Sequence, residues 1–284
     1  MRKRKNIEEK FFKSLSGLTT YSLIGILLFI IAVVFYKGFN ALSFEMIFKP
    51  PEGGYYYGGE GGVLNAIAGS VYIAFGATLI AVFIGIPAAL FINIYLNRMK
   101  KVQNLFRYLL DALWGIPSIV YGAFGFTLML FMGLNASLLA GIITVSILIT
   151  PIVVRTFDDV LCNIPKGLIE ASFALGSTKT ETAFKILIKQ GFSGFITALL
   201  LSFGRGIGDA ASVLFTAGYT DLIPRNLDEP AATLPLAIFF QLSSPIPVVR
   251  ERAYAAATVL TIIILSISLV ARYISGRNTF SNIK

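Results

Sequence analysis

Two opposite charges, Arg205 and Asp209, stand inside the run LLLSFGRGIGDAAS, residues 199–212. A charge at the centre of a membrane helix costs roughly 2.5–3.5 kcal/mol, so each must be paired or put to use. A spacing of four places both on one helix face, where they can partly neutralise each other. Two chemistries are open. One is an ion pair that merely fixes packing. The other is a passage for an anion. There the guanidinium fork of Arg205 attracts an oxyanion, while Asp209 holds the Arg in place and keeps binding weak enough for release. Gly204, Gly206 and Gly208 leave the surrounding surface bare, and the pair Gly204 and Gly208 permits close approach of a neighbouring helix or a hydrated solute. Catalysis has little to work with. The chain has no His and a single cysteine, Cys162, so neither a nucleophile–base pair nor a metal cluster is expected.

The elements that must position these residues follow from composition. In 284 residues, 56% are hydrophobic, and the mean hydropathy of +0.77 excludes an ordinary soluble domain. The formal charge of +9 sits in short basic flanks between apolar runs, which orients a membrane protein and argues against nucleic acid as a partner. The expected fold is all-α and polytopic, with six transmembrane helices at 18–36, 63–96, 105–131, 136–154, 192–217 and 253–273. The basic loops put both termini on the cytoplasmic side. The first span is too long for a signal-peptide core and lacks a small-residue cleavage site, so it reads as an uncleaved anchor. It forms, with the basic N-terminus and first outer loop, a segment 1–60 ahead of a core at 61–284. Outer loops fall at 37–62 and 218–252. The first contains GGYYYGGEGG but no Gly-Lys-Ser/Thr ending, so a flexible loop with interfacial tyrosines is expected rather than a phosphate-binding loop.

Weaker candidates lie around the third and fourth spans. Ser118 and Tyr121 follow Pro117 and could line a pathway, or could cap and pack a kink. Asp111 and Arg155 sit near span ends, where they can snorkel to headgroups. Asp158 and Asp159 read as a solvated lead into the segment 164–189. That segment reads as two short amphipathic helices broken at Gly176-Ser177, with Ser177 capping the second. It is either a docking surface for another protein or a plain cytoplasmic loop.

Resemblance adds to this. Glu170-Ala171-Ser172, three residues, Gly176, then Ile186-Leu187-Ile188 resembles the coupling loop of ABC-importer permeases, with Ser172 for the second Ala and Lys189 where that pattern ends in Pro. GRGIGD at 204–209 with LFTAG at 214–218, IPSIVYG at 116–122, GVLNAIAGS from Gly62 and RERAYAAA at 250–257 are similar, in order, to segments of the phosphate-specific permeases of PstA type. Asp209 stands where that family has Glu. The resemblance implies a type I, MetI-like permease in a bacterial or archaeal inner membrane. It implies ATPase coupling through Glu170, Ala171, Ser172 and Gly176. The implied partners are membrane lipid, a second permease subunit (PstC type), an ATPase dimer (PstB type) that binds the ATP and Mg, and an external phosphate-binding protein (PstS type). No cofactor is expected in this chain. Permeases for molybdate, sulfate or phosphonate, the sister permease subunit of the same system, and an ion-gradient-driven transporter are the rival readings.

Overall fold

Long apolar runs with few breaks have to become helices in a bilayer, because nothing else there satisfies each backbone N–H and C=O. The computed structural model describes residues 2–55 and 59–279, and α-helices are its main elements. Among the described residues the only strand-like pairing is an isolated bridge between Pro51 and Gly61. Five helices among the described residues are long and apolar enough to cross a membrane, and a sixth crossing exists if one bent pair is counted as a single span.

α1 (Arg2–Phe39) leaves Leu18, Leu23 and Leu27 exposed along its length. It leans on α11 (Pro247–Thr279) near its end, where a Cβ on Gly38 would fall 2.5 Å from the Tyr254 carbonyl. After the short α2 (Phe44–Phe48) comes α3 (Leu64–Leu90), which continues as a π-helix (Phe91–Tyr95) and a 3-10 turn (Leu96–Arg98). α6 (Leu138–Cys162) is the central helix, with 72% of its apolar window buried, against none for α1. α3 and α6 run parallel, since Gly76 packs on Ile142 and Gly85 on Val153. Ile73, Ala77 and Ala81 of α3 form the main core with Val145, Ile149 and Val153 of α6. α9 (Ile188–Ile207) adds Phe195 and Ala198 from the opposite direction.

Several boundaries differ from the sequence expectation. The expected third span is two helices, α4 (Lys100–Trp114) and α5 (Ser118–Phe131), set at 93° to each other. Gly115 ends α4, and Pro117 forces the residue before it out of the helical region, so the chain turns. α4 is strongly amphipathic and packs against the end of α6, with Arg107 bonded to Asp158 and Asp111 to Arg155. α6 passes through Pro151 and ends eight residues beyond the expected 154. The fifth crossing starts earlier and stops earlier than 192–217. It runs from α8 (Lys179–Glu181) through a π-helix (Thr182–Leu187) into α9, and the chain from Asp209 to Ala217 is turns. The last helix starts at Pro247, six residues before the expected 253. α7 (Lys166–Ala174) and α10 (Leu234–Leu242) complete the set.

Candidate functional site

α9 stops inside the apolar layer. Gly206 packs against Val145 and Ala74, seven and ten residues from the starts of α6 and α3. At 1.5 Å per residue that is about 10–15 Å below those helix ends. Arg205 therefore occupies the last turn of a helix that terminates deep in the bundle, where a cation offsets the negative end of the helix dipole. Its side chain is exposed on this chain and makes no ion pair among the described residues.

The expected Arg205–Asp209 pair does not form. The helix ends at Ile207, so the two residues no longer share a face. Asp209 is buried and its Oδ2 accepts from the Ser212 N–H at 2.8 Å, starting the run of turns that follows. This is the geometry of a helix N-cap, which a short carboxylate fits better than a long one. The turns pack against α5, where a Cβ on Gly122 would sit 2.6 Å from the Ala211 carbonyl. They also reach the start of α6, whose Ser137 N–H donates to the Thr216 carbonyl at 2.9 Å. Gly204 has nothing within 4 Å of a Cβ position, whereas Gly208 touches Ile264 of α11. The two glycines thus face different surroundings.

Tyr121 is buried, and its hydroxyl donates to the Leu113 carbonyl at 2.8 Å, stapling α5 to the end of α4 across the 93° bend. Ser118 opens α5 and is half-buried. Tyr121→Phe should lower the thermal stability of the purified protein by about 1 kcal/mol, the worth of one such bond. Its competition profile against other oxyanions should stay as in the parent, and a change in that profile would return Tyr121 to the pathway.

At the opposite end of the bundle, α7 ends in a Schellman motif. The Gly176 N–H donates to the Phe173 carbonyl and the Ser177 N–H to the Ser172 carbonyl, with Gly176 at φ +82°. Only Gly adopts that φ without strain. The cap of α8 is Thr178 rather than Ser177, in a capping box with Glu181. Glu170 and Ala171 are exposed, while Ser172 is buried and bonds its Oγ to Thr182 Oγ1 at 2.9 Å. The hydroxyl that replaces the family's Ala therefore ties α7 to the π-helix beneath it. Leu175 at the tip is 87% exposed, and Leu168 and Phe173 are exposed beside it.

The sequence reading missed two clusters. Asp158 is no solvated lead; its side chain is 0% exposed. It accepts from Arg107 Nε and Nη2, each at 2.8 Å, from Arg155 Nη1 at 3.0 Å and from Asn93 Nδ2 at 2.8 Å. Arg155 also bonds Asp111 at 2.8 Å and pairs with Asp159, so neither Asp111 nor Arg155 simply snorkels. These bonds lock the end of α3, α4 and α6 together immediately ahead of α7. The second cluster is Tyr55 with Arg252. Tyr55 is buried, not interfacial, and burial pushes its phenol up to about 12. The Arg252 guanidinium lies 4.5 Å from its ring centre and donates to the carbonyls of Tyr55 and Gly59. Tyr56, Tyr57, Gly58 and Lys284 lie outside the described residues. A signal for the first cluster existed in the i, i+3 placement of Arg155 and Asp158 on an apolar helix; the second had none.

The chain is a helical membrane bundle with a central buried helix, a crossing that ends in mid-layer and a capped two-helix knob at one end. The likeness to solved structures carries the same fold. An inward-facing MetNI methionine ABC transporter chain matches with a TM-score of 0.62 over 76% of this chain and 95% of its own, at 18% identity. A chain of an amino acid ABC transporter matches with a TM-score of 0.57 over 75% and 92%, also at 18% identity. Residues 81–279 match the family of binding-protein-dependent transport system inner membrane components, and the chain belongs to that family. It is a multi-pass inner-membrane protein and a transport component. Among its relatives, the phosphate transport system permease protein PstA of Pasteurella multocida is 34% identical over 94% of both chains. That of Haemophilus influenzae is 33% identical over 83% of this chain and 82% of its own. A probable PstA of Methanocaldococcus jannaschii is 31% identical over 75% and 76%.

Proposed function

We infer that this chain is one permease subunit of an ATP-driven importer of inorganic phosphate. The observation that carries the reading is the guanidinium of Arg205, without an ion-pair partner among the described residues, at a helix end deep in the bundle, in a chain aligned almost end to end with phosphate permeases. An unpaired cation in a narrow passage admits anions and repels cations. Its planar fork suits the oxygens of phosphate. Asp209 does not neutralise it but holds the turns that continue the path. Radiolabelled phosphate uptake, competed with molybdate, sulfate and phosphonate, tests the substrate. Competition by any of these as strong as by phosphate itself would overturn it.

The passage needs a second permease subunit to close it, since Arg205 and Gly204 are open on this chain. The basic loops put both termini and the α7 knob in the cytoplasm. There Leu168, Phe173 and Leu175, with Glu170, form a small apolar surface of the kind a separate ATPase would cover. ATP and Mg would be bound by that ATPase rather than by this chain. An external binding protein would deliver phosphate to the loops at 37–62 and 218–252. Closure of the ATPases would move α7, and the Asp158 cluster would carry that movement to the spans as a rigid body.

Burying one Leu is worth about 1.5–3 kcal/mol. Leu175→Glu should therefore weaken co-purification of the ATPase by at least about tenfold while leaving membrane insertion unchanged. Undiminished co-purification would remove α7 from the docking surface. Uptake that survives deletion of the ATPase would favour an ion-gradient mechanism instead.

A further inference from the structure

A cleft of about 710 Å³ opens between α4, the end of α6 and α7, separate from the path past Arg205. Its floor is apolar, with Ile164 and Ile169, and its rim carries Lys100 and Lys166 against a single lining carboxylate, Glu170; Arg107 also lines it but is paired with the buried Asp158. Lys100 Nζ is bonded to the neutral oxygens of Asn97, at 2.5 Å, and Gln103, at 3.2 Å, so its charge is not cancelled. Lys166 makes no ion pair among the described residues. It is also the first residue of α7, where helix geometry leaves backbone N–H groups without an acceptor.

The cleft has a definite depth. α4 is amphipathic and exposes Leu105, Leu109 and Leu113 on one side. Such a helix belongs in the plane where headgroups meet acyl chains. A basic rim over an apolar floor at that level matches a molecule with a phosphate at one end and hydrocarbon at the other. A free phosphate would leave the floor uncovered and most of the volume unfilled.

We propose that this cleft binds one anionic phospholipid, its phosphate held by Lys100 and Lys166 and an acyl chain laid along Ile164 and Ile169. Placement in the cytoplasmic leaflet rests on the orientation argued above; the binding itself does not. Because α7 forms one wall, an occupied cleft would brace the knob from its membrane side.

The test is native mass spectrometry of the assembled transporter, delipidated and titrated with phosphatidylglycerol or phosphatidylcholine. The parent should retain phosphatidylglycerol preferentially, and Lys100→Gln with Lys166→Gln should weaken that retention by about tenfold or more. Equal retention of the two lipids, or a double variant that binds like the parent, would overturn the proposal. So would displacement of the lipid by millimolar inorganic phosphate, which would make the cleft a phosphate site. Phosphate uptake measured on the same preparations separates the two readings. A protein that retains phosphatidylglycerol but imports no phosphate contradicts the transport function and leaves the lipid site standing.

Discussion

Arg205→Gln should abolish most phosphate uptake while leaving the protein in the membrane with its partners. The guanidinium sits on the last turn of α9, has no ion-pair partner among the described residues and lies about 10–15 Å inside the helix starts beside it. A charge-assisted hydrogen bond is worth roughly 1.5–3 kcal/mol, so losing it from the rate-limiting passage predicts a fall of about tenfold to a hundredfold. Since no buried partner is orphaned by the change, folding should be nearly untouched. Arg205→Lys separates field from fork: it keeps the charge but not the paired donors, and should fall between the parent and the Gln variant. Uptake by Arg205→Gln at the parental rate, in a normally assembled complex, would remove Arg205 from the mechanism.

Asp158→Asn should have the larger effect on stability. The carboxylate is fully buried and receives four donors from Asn93, Arg107 and Arg155. Removing one member of such a set leaves uncompensated charge, which costs about 3–5 kcal/mol. The expected result is a strongly lowered melting temperature in detergent and a reduced folded yield. Replacing Arg107 by Met alongside Asp158→Leu should recover part of the loss, because one stranded cation goes with the carboxylate. Arg155 would keep Asp111 and Asp159 as partners. Full stability of Asp158→Asn would show that water reaches the cluster.

Much of the fold was legible in the chain itself. Apolar length located the crossings, and Pro117 marked a kink in the third span but not its 93°. Gly176 marked the stop of α7, because a Schellman turn needs a residue at positive φ. The end of α9 was not legible. The residues from Asp209 to Ala217 are as apolar as a helix would be, and only their contacts with α5 and the start of α6 make turns the better solution. That one change separated Arg205 from Asp209.

The sequence by itself determined which segments cross, which end is basic and which few charges sit where charge is costly. These are local properties, fixed by a solvent that cannot satisfy an exposed backbone. Only the tertiary structure decided how the charges are used. Asp158 meets Arg107 across 51 residues and Asn93 across 65, and Arg252 reaches Tyr55 across 197. A buried polar group is settled by whichever donor packing brings within about 3 Å, and no periodicity along the chain records that.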